Sequence, residues 1–579
     1  MHVRTTSQTS IATKIQDFSK SGLVAAFLLF GVYLAITSLR PLNSFWSIDG
    51  GGKFIYMVST IMTGDLFAPI IYPQRLLDEN INFVPIFYRI VEGDQFYTWW
   101  SPFLPLLSIP FYKLFGNLGL YILPALSGAF CAYFSAKITQ LLINQHGAAW
   151  LVFAVVAFTT PIAFYSQMFW EHTLSVALLL ISLYCILKAN ILNKVGWAFF
   201  GGAVGSLAAA FRPESAIILA GFGVVWLFKD WRKAMIYGVS FVTASLPWMG
   251  FNYVQSGNLL YPSMDQFTSA PTLGQINRGG VAQFFSYLLF NAPIRYGFAI
   301  SKVNLLVAGA GVLLSVVPPF VKKLRWLVLP GYLAVAWTSF QLLSEPAGYR
   351  AVHGFILIAP VVLLSVWLFV KIKPLSDSFY SLLLLGGLAA MGAAYVLKSW
   401  EAAGGLQWGP RYLLVFYPLL SIAAGVGLSK IWADFSNPMR SSLIACTLLF
   451  MVLGLGYEFR GIDSVRQTAF YADASEKAAL QINGKPMLLG CDANTLMPEL
   501  YWQKPVFSIL RSNLEIWNDH LASIGINSYY QVEFDLCLLN QMDEIKAYRE
   551  ENPSGIIVQD CDVTRYQNHE EGFCHSVSP

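Results

Sequence analysis

Charge is what this sequence has least of. Asp, Glu, Lys and Arg make up 12% of its 579 residues, about half the share found in a soluble domain, and a soluble fold is thereby excluded. The net charge of +4 is small and scattered between apolar runs, so nucleic-acid binding is excluded too. Ionisable residues are missing from the middles of those runs; Lys137 lies towards one end, where it can snorkel. Ion-coupled transporters place acids and bases near the bilayer midplane, so this absence, together with the lack of an internal repeat, counts against that class. No Asn-x-Ser/Thr acceptor occurs, which leans towards a bacterial inner membrane.

What the chain has instead is apolar length. Hydrophobic residues are 56% and aromatics 15%, and a bilayer-crossing helix needs ~20 mostly apolar residues. Such runs recur from Ser21 to Tyr457. They predict an all-α polytopic membrane protein of about thirteen transmembrane helices, near 21–39, 118–142, 149–164, 173–188, 196–211, 214–228, 234–251, 298–317, 326–343, 351–370, 378–397, 412–429 and 441–457. The stretch Pro102 to Gly116 is short and carries Pro102, Pro105 and Pro110, so it reads as re-entrant or surface-lying. Lys and Arg gather in cytoplasmic loops, here Lys188 to Lys194, Lys229 to Lys233, Lys322 to Arg325, Lys371 to Lys373 and Lys430 to Arg440. The N-terminus is therefore expected inside. The first loop, 40–117, and the later loops 165–172, 252–297, 344–350 and 398–411 are expected outside.

Two domains follow, a membrane module over 1–457 and a small soluble α/β domain over 458–579 on the exoplasmic, periplasmic side. In the latter, LLGCD, DEIKAYREENPSG and IIVQD alternate strand and helix character. It holds Cys491, Cys537, Cys561 and Cys574; that side of a membrane permits disulfides, and free buried thiols fit equally well.

Polar residues collect at the expected outer helix ends: Asp49, Glu171 with His172, Arg212 with Glu214, Glu345 with Arg350 and His353, and Glu401 with Arg411. An outer loop gains nothing for orientation by carrying arginine. Arg212, Arg350 and Arg411 each adjoin an apolar run at headgroup depth, where a phosphate is the natural partner for a guanidinium fork. A single such arginine is equally a snorkelling anchor; three of them with acids opposite point to a site.

The segment SFWSIDGGGKFIYM after the first helix resembles the acidic motif of type C (GT-C) glycosyltransferases, which use polyprenyl-phosphate sugars. These include the aminoarabinose transferase of lipid A and the protein O-mannosyltransferases. WWSPFLPLLSIPFYKLFG, SQMFWEHTLSVALLL, AAFRPESAIIL and WGPRYLLVFYPLL are similar to further segments of that family, in the same order. Many relatives follow the first-loop Asp with Glu. Here Gly50, Gly51 and Gly52 follow it, which leaves Glu171 as the candidate second acid.

The resemblance implies sugar transfer from a polyprenyl-phosphate donor to a hydroxyl of a lipid, glycan or protein, by a single inverting displacement at the outer membrane face, with Asp49 as general base. Asp49 is equally placed to cap a helix starting in GGGKFIYMVSTIM. Glu171 either orients hydroxyls or pairs with Arg212. The phosphate falls to Arg212, Arg350 and Arg411, with Tyr349, His353 and Lys53 as lesser candidates. Trp99 and Trp100 stack on sugar or anchor the interface. No cofactor is required; a divalent metal is possible without being indicated. The competing functions are a lipid-linked glycan flippase or transporter and an oligosaccharide ligase or polymerase.

Overall fold

The computed structural model describes residues 5–79, 83, 88–91, 95–98, 100–260, 289–290, 301–344, 354–370, 379–397, 408–489, 497–508, 514–534, 556–567 and 574–577. The chain is mostly helical. Among the described residues, eight helices are long and apolar enough to cross a membrane, and four shorter apolar helices accompany them. In chain order the principal elements are α1 (Thr5–Thr37), α2 (Ile48–Thr63), the hairpin β1 (Tyr88–Val91) and β2 (Gln95–Thr98), α3 (Phe103–Phe115), α4 (Ile122–Ile143), α5 (His146–Phe158) and the one-turn α6 (Ile162–Tyr165). They continue with α7 (His172–Leu192), α8 (Val195–Phe211), α9 (Glu214–Lys229), α10 (Trp231–Ser256), α11 (Lys302–Val316), α12 (Val328–Ser344), α13 (Phe379–Leu397), α14 (Phe416–Ile431) and α15 (Asn437–Gln481).

With no aqueous contrast to drive helices together inside a bilayer, small residues set how closely they approach. Gly221 of α9 and Gly386 of α13 meet backbone to backbone; a Cβ on Gly221 would lie 2.4 Å from the Gly386 carbonyl oxygen. The consecutive helices α7 and α8 pack as neighbours, as their short connection requires, and α10 also packs on α8 although α9 lies between them in the chain.

Three stretches differ from the sequence reading in instructive ways. The proline-rich stretch is helical as α3, but its 13 residues span only ~20 Å, and Gly116 turns the chain at φ 58° before α4. The run expected as one helix over 351–370 is broken into Phe355–Ile358, a 3₁₀ segment Pro360–Val366, and Trp367–Val370. Pro360 supplies no N–H and its ring clashes with the preceding turn, and the irregular backbone survives because that segment is buried against α14. The final apolar run does not stop near 457: α15 continues to Gln481 and carries the membrane bundle directly into the C-terminal region.

There, β3 (Met487–Leu489), β4 (Val506–Ser508), β5 (Ser528–Phe534), β6 (Ile556–Asp562) and β7 (Cys574–Val577) form one sheet in the order β4-β3-β5-β6-β7. The pairs of β3 are parallel, and those of β6 are antiparallel. The helices α16 (Pro498–Gln503) and α17 (Leu514–Ser523) join it. Cys561 and Cys574, register partners across β6 and β7, form a disulfide; Cys491 and Cys537 lie outside the described residues. The first loop is stitched to this sheet region. Gln74 donates to the carbonyls of Tyr501 and Lys504 at 3.0 and 2.7 Å, Tyr501 donates to the Ile71 carbonyl at 2.7 Å, and the ring of Phe83 packs edge-on against Trp517.

Candidate functional site

Six of the ionisable residues singled out in the sequence, Asp49, Lys53, Glu171, Arg212, Glu214 and Arg411, meet at one end of the bundle, and local chain geometry explains how they arrive. Ser47 is extended (φ −134°, ψ 154°) and stands at the N-cap of α2, so Asp49 lies inside the first turn and does not cap the helix. The positive end of the helix favours a carboxylate there, and Asp49 Oδ2 accepts from Arg411 Nη1 at 3.0 Å. The glycines that follow Asp49 have a steric reason. A Cβ on Gly52 would come within 2.5 Å of the Trp100 ring, and one on Gly50 within 3.0 Å of Phe45. Trp100 thus packs on the glycine face of α2, with the Lys53 ammonium 5.8 Å from its ring centroid.

Glu171 is the N-terminal neighbour of α7 and is almost completely enclosed. Lys53 Nζ lies 2.5 Å from its Oε2 and Arg212 Nη1 lies 3.3 Å from its Oε1. Burial works against the charged carboxylate, yet Lys53 first and Arg212 next hold it below the ordinary glutamate range. Arg212 follows the last turn of α8 and precedes Pro213. A residue before proline is pushed out of the helical region, and Arg212 is accordingly extended at φ −143°, ψ 116°. That corner swings its guanidinium back over Glu214, whose Oε1 accepts from Nε at 2.8 Å; the second oxygen of Glu214 has no partner.

Arg411 is delivered by the sequence Trp408–Gly409–Pro410. Gly409 takes φ 69°, a left-handed conformation natural to glycine. Trp408 stacks on Phe164 at 5.5 Å, and its backbone N–H donates to Tyr165 Oη at 3.3 Å. Arg411 then lies 5.4 Å from the Trp170 ring and 5.2 Å from the Tyr412 ring, while Arg212 is 5.0 Å from that same Tyr412 ring. One aromatic ring therefore holds two guanidinium groups side by side.

Lys53, Arg212 and Arg411 carry three positive charges against the three carboxylates of Asp49, Glu171 and Glu214, and the formal sum is zero. The spread is uneven. Glu171 is engaged by two cations in the buried interior, whereas Asp49 and Arg411 share one contact and both keep 15% of their side-chain exposure. Lys53 is committed to Glu171 inside the protein, with 1% of its side chain exposed. Among the described residues, no three His, Cys, Asp or Glu side chains gather as a metal ligand set.

Tyr349, Arg350, His353, Glu345, Glu401 and Trp99 lie outside the described residues. Sequence reasoning gave no role to Tyr412 or Trp170, although each is adjacent in sequence to a residue it had picked, and aromatic neighbours of ionisable loop residues are the signal that would have found them. His172 had been noted only as a companion of Glu171.

No family model matches the chain, and no curated protein matches it in sequence. Solved structures do. The apo form of ArnT from Cupriavidus metallidurans superposes with a TM-score of 0.51 at 13% identity, covering 93% of this chain and 95% of that one. The same protein bound to undecaprenyl phosphate gives 0.41 at 15% identity, with coverage of 93% and 95%. The oligosaccharyltransferase AglB from Archaeoglobus fulgidus, in complex with an inhibitory peptide and a dolichol-phosphate, gives 0.44 at 13% identity over 88% of this chain and 69% of that one. The likeness to apo ArnT gives this chain the GT-C type of fold.

Proposed function

We propose that this protein is a membrane glycosyltransferase that moves a sugar from a polyprenyl-phosphate donor to a hydroxyl of a lipid, glycan or protein, by inverting single displacement. The observation that carries the reading is the single-point pair of Asp49 with Arg411, set beside a second arginine on the same tyrosine ring. The donor phosphate enters between Arg212 and Arg411 and draws Arg411 away from Asp49. The same event creates the phosphate site and frees the base. The acceptor oxygen attacks the anomeric carbon, its proton passes to the Asp49 carboxylate, and the bond from that carbon to the phosphate oxygen breaks. The electron pair leaves with the polyprenyl phosphate, whose added charge the guanidinium groups stabilise. The donor class follows ArnT, which binds undecaprenyl phosphate. Lys53 and Glu171 act behind the reaction and fix Arg212; Arg350, Tyr349 and His353 are further phosphate ligands in this reading.

We place the site and residues 458–579 on the exoplasmic side of a bacterial inner membrane with thirteen spans. The basic clusters at Lys188 to Lys194 and Lys430 to Arg440 follow the ends of α7 and α14 opposite the site, and the Cys561–Cys574 disulfide suits an oxidising compartment.

The test compares glycolipids and glycoproteins by mass spectrometry in cells carrying the wild type or Asp49→Asn at equal expression. One sugar addition is expected to disappear in the variant, since a positioned base contributes ~10²–10⁴ in rate. An unchanged glycan profile removes Asp49 from the chemistry, and movement of a substrate across the membrane with no new glycosidic bond makes the protein a transporter.

A further inference from the structure

His172 is a polar side chain at this site that the reaction scheme leaves idle, and its surroundings are unusual for an idle residue. It is the first residue of α7, 3% exposed, and neither imidazole nitrogen has a hydrogen-bond partner. Its ring is held by two others, stacked on Tyr165 at 5.1 Å and tilted against Trp170 at 5.0 Å. If stacking were its whole purpose, phenylalanine would fill the column without burying two unsatisfied nitrogens, each of which costs ~1–3 kcal/mol. The imidazole instead borders a notch of about 10 Å³, lined also by Arg212, Glu214 and Arg411. That volume is about the room one oxygen atom of a water or an oxyanion needs.

The lining defines what belongs in the notch. Guanidinium groups only donate, and a neutral imidazole offers one N–H donor. A small acceptor that satisfies all three at once is an anionic oxygen. Glu214 turns one carboxylate oxygen to Arg212 and leaves the other, an acceptor, without a partner, so Arg212, Arg411 and the imidazole N–H, and not Glu214, are the groups that favour an anionic oxygen there.

We propose that His172 is a ligand of the donor phosphate, its N–H donating to one non-bridging oxygen seated in the notch between Arg212 and Arg411. This rests on the glycosyl-transfer reading above and adds to it a third, uncharged donor. As the sugar leaves, the phosphodiester becomes a phosphomonoester and gains negative charge, so the contact strengthens along the reaction and acts on the rate as well as on binding. The Tyr165–Trp170 stack fixes the ring, so the donor is in place before the lipid arrives.

Undecaprenyl phosphate is the probe, titrated into the full-length protein in detergent for four forms: wild type, Arg411→Ala, His172→Phe and His172→Gln. His172→Phe keeps the ring column and loses the N–H; His172→Gln keeps an N–H and loses the column. The expected result is that Phe weakens binding about tenfold or more while Gln retains most of it, since one hydrogen bond to a charged group carries that much affinity. The thermal midpoint of the Phe variant does not fall below the wild-type value, because the substitution removes two unsatisfied buried nitrogens. Wild-type affinity in His172→Phe, with Arg411→Ala impaired, overturns this proposal and leaves the glycosyl-transfer reading standing. Equal losses in Phe and Gln make His172 a packing residue and overturn it as well. A wild type that binds no undecaprenyl phosphate overturns both.

Discussion

The two ends of the site are built from the same chemical parts and behave differently. At the inner end, Lys53 and Glu171 are 1% and 2% exposed and lie 2.5 Å apart, with Arg212 closing the second carboxylate oxygen. At the outer end, Asp49 and Arg411 have one contact of 3.0 Å and partial access to solvent. A buried ion pair cannot be opened cheaply, because each charge freed pays its desolvation alone. A pair whose partners each keep 15% of their side-chain exposure has an opening through which water or a ligand can replace one partner. In the proposed mechanism the inner pair is therefore scaffold and the outer pair is the part that moves.

The largest expected effect tests the inner end. Lys53→Met leaves Glu171 buried with a single cation and is expected to cost ~3–5 kcal/mol of stability, read as a fall in the unfolding midpoint in detergent. Adding Glu171→Leu to that variant is expected to recover most of the loss, because no charge then remains stranded. A single substitution that costs less than ~1 kcal/mol would mean that the inner end is as yielding as the outer one.

Next in size is the glycine face that lets α2 sit against its neighbours. Gly52→Ala puts a Cβ 2.5 Å from the Trp100 ring, and overpacking of this kind costs ~1–3 kcal/mol. Trp100→Leu in the same chain is expected to return most of that stability. If Gly52→Ala is neutral on its own, the Trp100 ring is free to shift and does not fix the position of Lys53.

Much of this was legible in the sequence, and the reasons divide along physical lines. Apolar length and the sign of short loops located the helices, since both follow from the cost of placing polar groups in hydrocarbon. Arginines at helix ends with acids opposite located Asp49, Glu171, Arg212 and Arg411, because such residues have no purpose in orienting the chain. Pairing was not legible. That Lys53 turns inward to Glu171 depends on Trp100 covering Gly52, a contact between residues 48 positions apart that no spacing rule contains. Nor was the break at Pro360 weighed, although proline inside a run is its plain signal, or the continuation of α15, whose later turns are polar and give no hydropathy cue.

The smallest expected effect on stability accompanies the largest on activity. Asp49→Asn keeps an oxygen that accepts from Arg411, so the contact persists without its charge. A partly exposed pair of this kind is worth ~0.2–1 kcal/mol, and the unfolding midpoint should move by no more than that. A double-mutant cycle of Asp49→Asn with Arg411→Gln should give a coupling of the same small size. The reason is mechanistic. A base held by a strong pair could not be released by an arriving phosphate, so a weak latch between Asp49 and Arg411 is a condition of the chemistry. A measured coupling of ~3 kcal/mol or more would place the pair with Lys53 and Glu171 as scaffold, and the base would then have to be sought in another residue.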